Sequence, residues 1–324
     1  MNIKILKNRK KDDVMMRDVY AKTLLELAGQ DERIVVLDAD LMSSMGMKVF
    51  QKAFPNRTFN CGIQEANMIG VSAGLSATGK IPFSHSFGPF ATRRCCDQVF
   101  VSAAYAKLNV RIIGSDPGIT AAFNGGTHMP FEDMGIMRGI PGITVLEPVD
   151  NTMLKNLLIQ VKDLYGVFYI RLLRKEPVEI YEDGSEFDIG KGIVLKEGKD
   201  VTIFTSGVLV HDSLNAAEAL EIKGISAKVV NLFTWKPIDR EIIKQCAQET
   251  GAVITVENHN IINGLGSAVA EVLGETYPVP MERVGCIDRF GEVGSQDYLQ
   301  KVFKMMPEDI EDKVNMVLKR KQKF

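Results

Sequence analysis

No stretch of this 324-residue chain approaches the roughly 18 consecutive apolar residues of a membrane-spanning helix, so none is expected. The N-terminus carries Lys4, Lys7, Arg9, Lys10 and Lys11 with no apolar segment behind them; it does not read as a signal peptide, and a mobile basic arm is expected. Cysteine is sparse and odd in number, at Cys61, Cys95, Cys96, Cys246 and Cys286, and none pairs with a His at structural zinc spacing. Reduced thiols in a cytoplasmic protein fit that usage. Neither sign of charge dominates: 39 basic residues against 41 acidic give a net charge of −2, no electrostatic footing for nucleic acid or an anionic membrane. A third glycine is missing after Gly264-Leu265-Gly266, because Val269 holds its place, so this is a turn entering a helix and not a dinucleotide fingerprint. What remains is ordinary for a globular protein, 45% hydrophobic and 25% charged, with length for about two domains.

Those domains are α/β. Short β-branched runs at Arg33–Leu37, Ile81–Phe83, Val110–Gly114, Ile143–Leu146 and Val167–Arg171 read as buried parallel strands. They alternate with helices at Arg17–Ala28, from Glu65 onward, at about Pro89–Lys107, at Glu132–Arg138 and at Asn151–Val161. A Gly-rich loop runs from Ser115 to Pro130. Residues 175–200, rich in Gly, Pro and charge, break the pattern and are expected to be a linker with a little β structure. A second alternating unit follows over 201–324 and closes with an amphipathic helix at Pro307–Lys321.

Polar loops at the carboxyl ends of parallel strands are where such folds bind ligands. Asp38-Ala39-Asp40-Leu41 ends one strand. Gly62-Ile63-Gln64-Glu65 turns from another into a helix that is apolar almost all round. A carboxylate opening a buried helix is costly unless it is paired, so Glu65 either caps the helix or is held there to hydrogen-bond something. Phe87 and Phe90 sit one turn apart, as core or as a platform for a flat ligand. His128 lies in the loop Gly125-Gly126-Thr127-His128-Met129-Pro130, whose glycines let the backbone approach a ligand closely. His85, at a strand end, is a further candidate for substrate contact. His211 and His259 read as surface or capping residues, and Cys95 and Cys96 as packing on a helix.

These segments together resemble the transketolase family of thiamine-diphosphate enzymes over nearly the whole chain. The resemblance implies a pyrimidine-binding domain over residues 1–174, a linker over 175–200 and a transketolase C-terminal domain over 201–324. It assigns Glu65 to N1′ of the cofactor's aminopyrimidine, where a buried carboxylate shares a proton with the ring and activates it. It places Phe90, with Phe87 beside it, against that ring, Ile63 in the same turn, and Asp40 near the thiazolium. His128 matches the family's Gly-Pro-Thr-His-Gln-Pro histidine, which reaches the reacting carbon. Arg17, Ser44 and Arg171 fall where the family gathers a sugar phosphate, though Arg171 at a strand end reads equally as a structural ion pair. Asp116 and Asn124 stand at family substrate positions that are altered here. Gly114-Ser115-Asp116 replaces Thr-His-Asp, and Asn124 replaces an Asp.

No Gly-Asp-Gly motif occurs. The resemblance therefore implies the second subunit of a split transketolase, with the diphosphate and Mg²⁺ gripped mainly by a partner chain and the cofactor lying between chains. The expectation is a cytoplasmic heterotetramer of two such subunits and two partners, moving a two-carbon ketol unit from a ketose, phosphorylated or not, to an aldose. The alternatives are the β subunit of a 2-oxoacid dehydrogenase, against which Gly-Gly-Thr-His argues, an enzyme like 1-deoxyxylulose-phosphate synthase, and a non-catalytic scaffold subunit.

Overall fold

The computed structural model describes residues 2–322 and contains two sheets. The first takes β1 (Ile34–Asp38), β2 (Thr58–Asn60), β3 (Ile81–Phe87), β4 (Val110–Ser115), β5 (Ile143–Leu146) and β6 (Val167–Leu172). The second takes β7 (Ile193–Lys196), β8 (Val201–Thr205), β9 (Ala227–Asn231), β11 (Val253–Asn260) and β12 (Met281–Cys286). The intervening β10 (Thr234–Lys236) crosses back and pairs antiparallel with β5, so the first sheet runs β10-β5-β6-β4-β3-β1-β2. The second runs β12-β11-β8-β9-β7, with β7 antiparallel to β9. All other pairings are parallel.

Burial explains the sequence pattern. β1 is buried at all five positions, as its unbroken Ile-Val-Val-Leu-Asp run demands of a central strand covered on both faces. Helix α1 (Met16–Gln30) packs Met16, Tyr20, Leu24 and Leu27 on one face of the first sheet beside helix Asn151–Asp163. Helix α3 (Glu65–Ala77) covers the other face with Met68, Ile69 and Ala73. Each such apolar side chain contributes roughly 1.5–3 kcal/mol on burial. The core around α3 continues without a break into the second unit, through Trp235, Phe204, Ile243 and Val269.

Four features depart from expectation. The basic arm is not mobile. It runs antiparallel to residues 177–186, with Leu6 N–H donating to the Ile180 carbonyl and Glu179 N–H to the Lys10 carbonyl, and Arg9 pairs with Glu218 at 2.7 Å. The linker is correspondingly fixed. Asp150 caps Met153 N at 2.9 Å and also accepts from Ile180 N and Tyr181 N; burial pushes its carboxyl up to about 6 against the lowering effect of those three donors. The helix expected at Pro89–Lys107 is broken into a turn (Gly88–Ala91), a 3₁₀ turn (Arg93–Cys95), a short α segment (Cys96–Gln98) and a π-helix (Val99–Tyr105). Helix α2 (Lys48–Ala53) and the helix Gln296–Val302 were not foreseen. Among the described residues no helix is long and apolar enough to cross a membrane.

Candidate active site

The loops that follow β1, β2, β3, β4 and β6 all leave the first sheet at its carboxyl edge, and the candidate residues gather there. Strand β2 ends in Asn60, whose Oδ1 accepts from Gly62 N at 2.9 Å and from Asp40 N at 3.1 Å. One side chain thus fixes both the Gly62 turn, at φ +70°, and Asp40, at φ +64°. The left-handed conformation suits both residue types. The turn delivers Glu65 as the first residue of α3.

Glu65 does not cap its helix. It is 1% exposed, and its two oxygens are used across space. Ser86 Oγ, on β3, donates to Oε1 at 2.9 Å, and Arg94 Nη1 pairs with Oε2 at 2.7 Å. The Arg94 guanidinium also lies 3.8 Å from the centroid of Phe90. Acid and ring thus meet at one flat, donor-bearing group, the Arg94 guanidinium.

His128 lies edge-on to Phe90 at 5.1 Å and to Phe87 at 5.5 Å, with Nδ1 2.9 Å from Thr127 Oγ1. Its loop is held from both sides. Arg93 pairs with Glu132 at 2.6 Å and donates to the Thr127 carbonyl. From the second unit, Asn258 grips the loop's start, accepting from Ile119 N at 3.0 Å and donating to the Pro117 carbonyl at 2.8 Å. Gly126 lies against the backbone of Gly291 so closely that a Cβ would stand 2.5 Å from that carbonyl oxygen, so no larger residue fits.

Arg17, at the start of α1, donates from Nη1 to the Ser44 carbonyl at 3.1 Å, which brings those two candidates together. Asn124 and Ile63 are exposed on the rim. Three other candidates are placed differently from expectation. Arg171 is fully buried, paired with Asp133 at 2.9 Å and Glu147 at 2.8 Å, with its remaining nitrogen on the Pro130 carbonyl. Burial disfavours its charge, but Asp133 and Glu147 outweigh that and raise its pKa. It is a core ion-pair hub and cannot reach a substrate. His85 is also fully buried, with Nε2 2.8 Å from Asp38 Oδ2 and its ring edge-on to Tyr20, on the core side of the sheet. Asp116, at φ +61°, is 2% exposed and paired with Arg174 at 2.6 Å, so it acts on that arginine and not on a ligand.

Arg174 is the residue that sequence reasoning passed over. Three positions beyond Arg171, just past β6, it is only part-buried and lies 4.9 Å from the Phe87 ring centroid. The signal was in reach. Arg171 lies inside a strand buried at every position, whereas Arg174 lies beyond its end. His259 also differs from its surface reading. It is buried against Trp235, accepts from Gly135 N at Nε2, and burial pushes its pKa down to about 4. Among the described residues no group of three or more His, Cys, Asp or Glu side chains is arranged to hold a metal ion.

Residues 12–177 match the family described as transketolase, pyrimidine binding domain, and residues 190–310 that described as transketolase, C-terminal domain. The chain is 52% identical over 312 residues to the 6-deoxy-6-sulfo-D-fructose transketolase subunit SqwH of Clostridium sp. (strain MSTE9), covering 96% of this chain and 97% of that one. It is 42% identical to a putative transketolase C-terminal section of Methanocaldococcus jannaschii, over 94% and 96% of the two chains. Among solved structures it is similar to a split gene transketolase described as an inactive beta4 tetramer, with TM-score 0.89, 42% identity, and coverage of 95% and 99%.

Proposed function

The chain belongs to the transketolase family, and from that premise we propose that it is one subunit of a two-chain, thiamine-diphosphate-dependent, cytoplasmic transketolase. Residues 1–174 serve as its pyrimidine-binding unit and 201–324 as its C-terminal unit, joined by 175–200. The reaction moves a two-carbon ketol unit from a ketose donor to an aldose acceptor. The observation that carries this reading is the shared space between Glu65 and Phe90, which a planar guanidinium already bridges and His128 borders. A buried acid facing an aromatic ring across one flat slot fits an aminopyrimidine.

Bound thiamine diphosphate supplies the electron sink for carbon–carbon bond cleavage. The chain's own residues do the rest. Glu65 would hold a ring nitrogen of that group, with Ser86 fixing Oε1. Phe90 and Phe87 provide ring contacts worth about 0.5–1.5 kcal/mol beyond area burial. Asp40 and Ile63 line the cofactor's side of the rim. With Nδ1 engaged by Thr127, His128 keeps Nε2 to move a proton at a substrate oxygen.

The donor carries an anionic group far from its carbonyl, met by Arg17, the Ser44 segment and Arg174, with Asn124 near its hydroxyls. The 52% identical relative is named for a sulfonated fructose. Here Ser115 replaces a family imidazole and Asp116 partly neutralises Arg174, so a singly charged sulfonate suits this edge at least as well as a doubly charged phosphate. The diphosphate and Mg²⁺ fall to a partner subunit, in a heterotetramer of two and two. Exposed Ile63, Phe123, Phe290 and Val293 border the cleft and suit burial against that partner.

The test is turnover of the complex reconstituted with its partner and cofactor, using phosphorylated and sulfonated ketoses in parallel. Glu65→Gln should lower turnover by about 10²–10⁴-fold with assembly and circular dichroism unchanged. Full turnover in that variant would contradict the reading.

A further inference from the structure

Arg94 makes two contacts at once. It pairs with Glu65 Oε2 at 2.7 Å and stacks 3.8 Å from the centre of the Phe90 ring. A flat, cationic, N–H-bearing group on that acid and that ring duplicates both contacts the reading above reserves for the aminopyrimidine. Ser86 already occupies Oε1, so Oε2 is the oxygen in contention. At a stacking distance of 3.8 Å no second plane fits between guanidinium and ring.

The local backbone explains how an arginine comes to be there. Thr92 (φ −123°, ψ −81°), just before the 3₁₀ turn Arg93–Cys95, and Cys95 (φ −124°, ψ 24°), its last residue, leave helical geometry. The break sends adjacent side chains apart, Arg93 to Glu132 and the Thr127 carbonyl, Arg94 to Glu65. The Arg94 side chain is 41% exposed, whereas Arg171 has no exposure at all. Arg94 can therefore swing into solvent, and doing so leaves the buried Glu65 carboxylate with Ser86 on Oε1 and its Oε2 open to another donor.

We propose that Arg94 is a competitor built into the pyrimidine pocket: it fills the cofactor ring's place in the unloaded subunit and must leave before the ring can bind. The proposal rests on the assignment of Glu65 and Phe90 to that ring. Cofactor then binds only the fraction of molecules whose arginine has swung out, and apparent affinity falls by that fraction.

Two titrations test this, both on full-length protein. The fragment 4-amino-2-methylpyrimidine is titrated into the chain alone by ligand-observed NMR. Thiamine diphosphate is titrated into the partner-reconstituted complex by calorimetry. Arg94→Ala should tighten both by about tenfold; Arg94→Met, which keeps the stem's packing, should do the same and guards against a folding defect. Glu65→Gln should weaken both, with or without Arg94. If the Arg94 variants bind unchanged or more weakly while Glu65→Gln still weakens binding, Arg94 supports the ring and does not compete, and the proposal is wrong. If Glu65→Gln has no effect, the underlying assignment fails as well.

Discussion

At the carboxyl edge of the first sheet the chain leaves Asp40, Phe87, Asn124, His128 and Arg174 open or half-open. At the same edge of the second it buries Ser206, Asn231, Glu257, Asn258 and His259. Both units are parallel α/β layers, and both place polar residues after their strands. The first unit's polar residues face a cleft, and several are incompletely committed. The second unit's are consumed by partners in the chain itself, at the joint with the first unit or within the second. Ser206 bridges Glu147 and Trp235, Asn258 holds the loop of His128, and Glu257 accepts from Leu265 N and Gly266 N at the start of a helix. The fold rule says where polar loops gather. What packs on them decides whether they bind a ligand or another part of the same chain.

Two arginines three residues apart carry the sharpest version of that contrast. Replacing Arg171 by Leu strands Asp133 and Glu147 as buried carboxylates and should cost about 3–5 kcal/mol in chemical denaturation. Replacing Arg174 by Ala leaves one buried carboxylate, Asp116, with Ser115 Oγ as its remaining side-chain donor, and should cost less, about 1–3 kcal/mol, yet raise KM for anionic donors more than for uncharged ones. Equal stability losses for both would erase the distinction between joint and cleft.

A smaller effect comes from pH. His259 is buried neutral, its pKa pushed by burial to about 4 from an ordinary 6.5. A depressed folded-state pKa means the stabilisation is complete above 6.5 and is lost as pH falls toward 4, on the order of 3 kcal/mol in total. Glu257 works the other way, since burial raises its carboxyl to about 8. The difference between wild-type and His259→Gln stability curves isolates the imidazole. A flat difference from pH 7 to 4 would show that His259 is not desolvated at the joint.

Much of this was legible in the sequence. The buried strands declared themselves through unbroken β-branched runs, and Glu65 through a charge at the head of an apolar helix. The rest was hidden for identifiable reasons. β10 is three residues long and pairs outside its own unit, so no periodicity marks it. The break near Thr92 sits in a run with good helical composition, and tertiary contacts by Arg93 and Arg94 override it. The N-terminal arm and the linker each look unstructured alone because each supplies the other's backbone partners. Arg171 and His85 stay open between substrate contact and structural pairing in the sequence, because a polar residue near a strand end is ambiguous until its partners, Asp133, Glu147 and Asp38, are known.

The most direct test is a crystal structure of the partner-reconstituted complex with thiamine diphosphate. The account predicts a pyrimidine ring nitrogen within about 3 Å of Glu65 Oε2, the ring against Phe90, and the Arg94 guanidinium displaced from both. A cofactor ring bound elsewhere, with Glu65 still paired to Arg94 over Phe90, would contradict it.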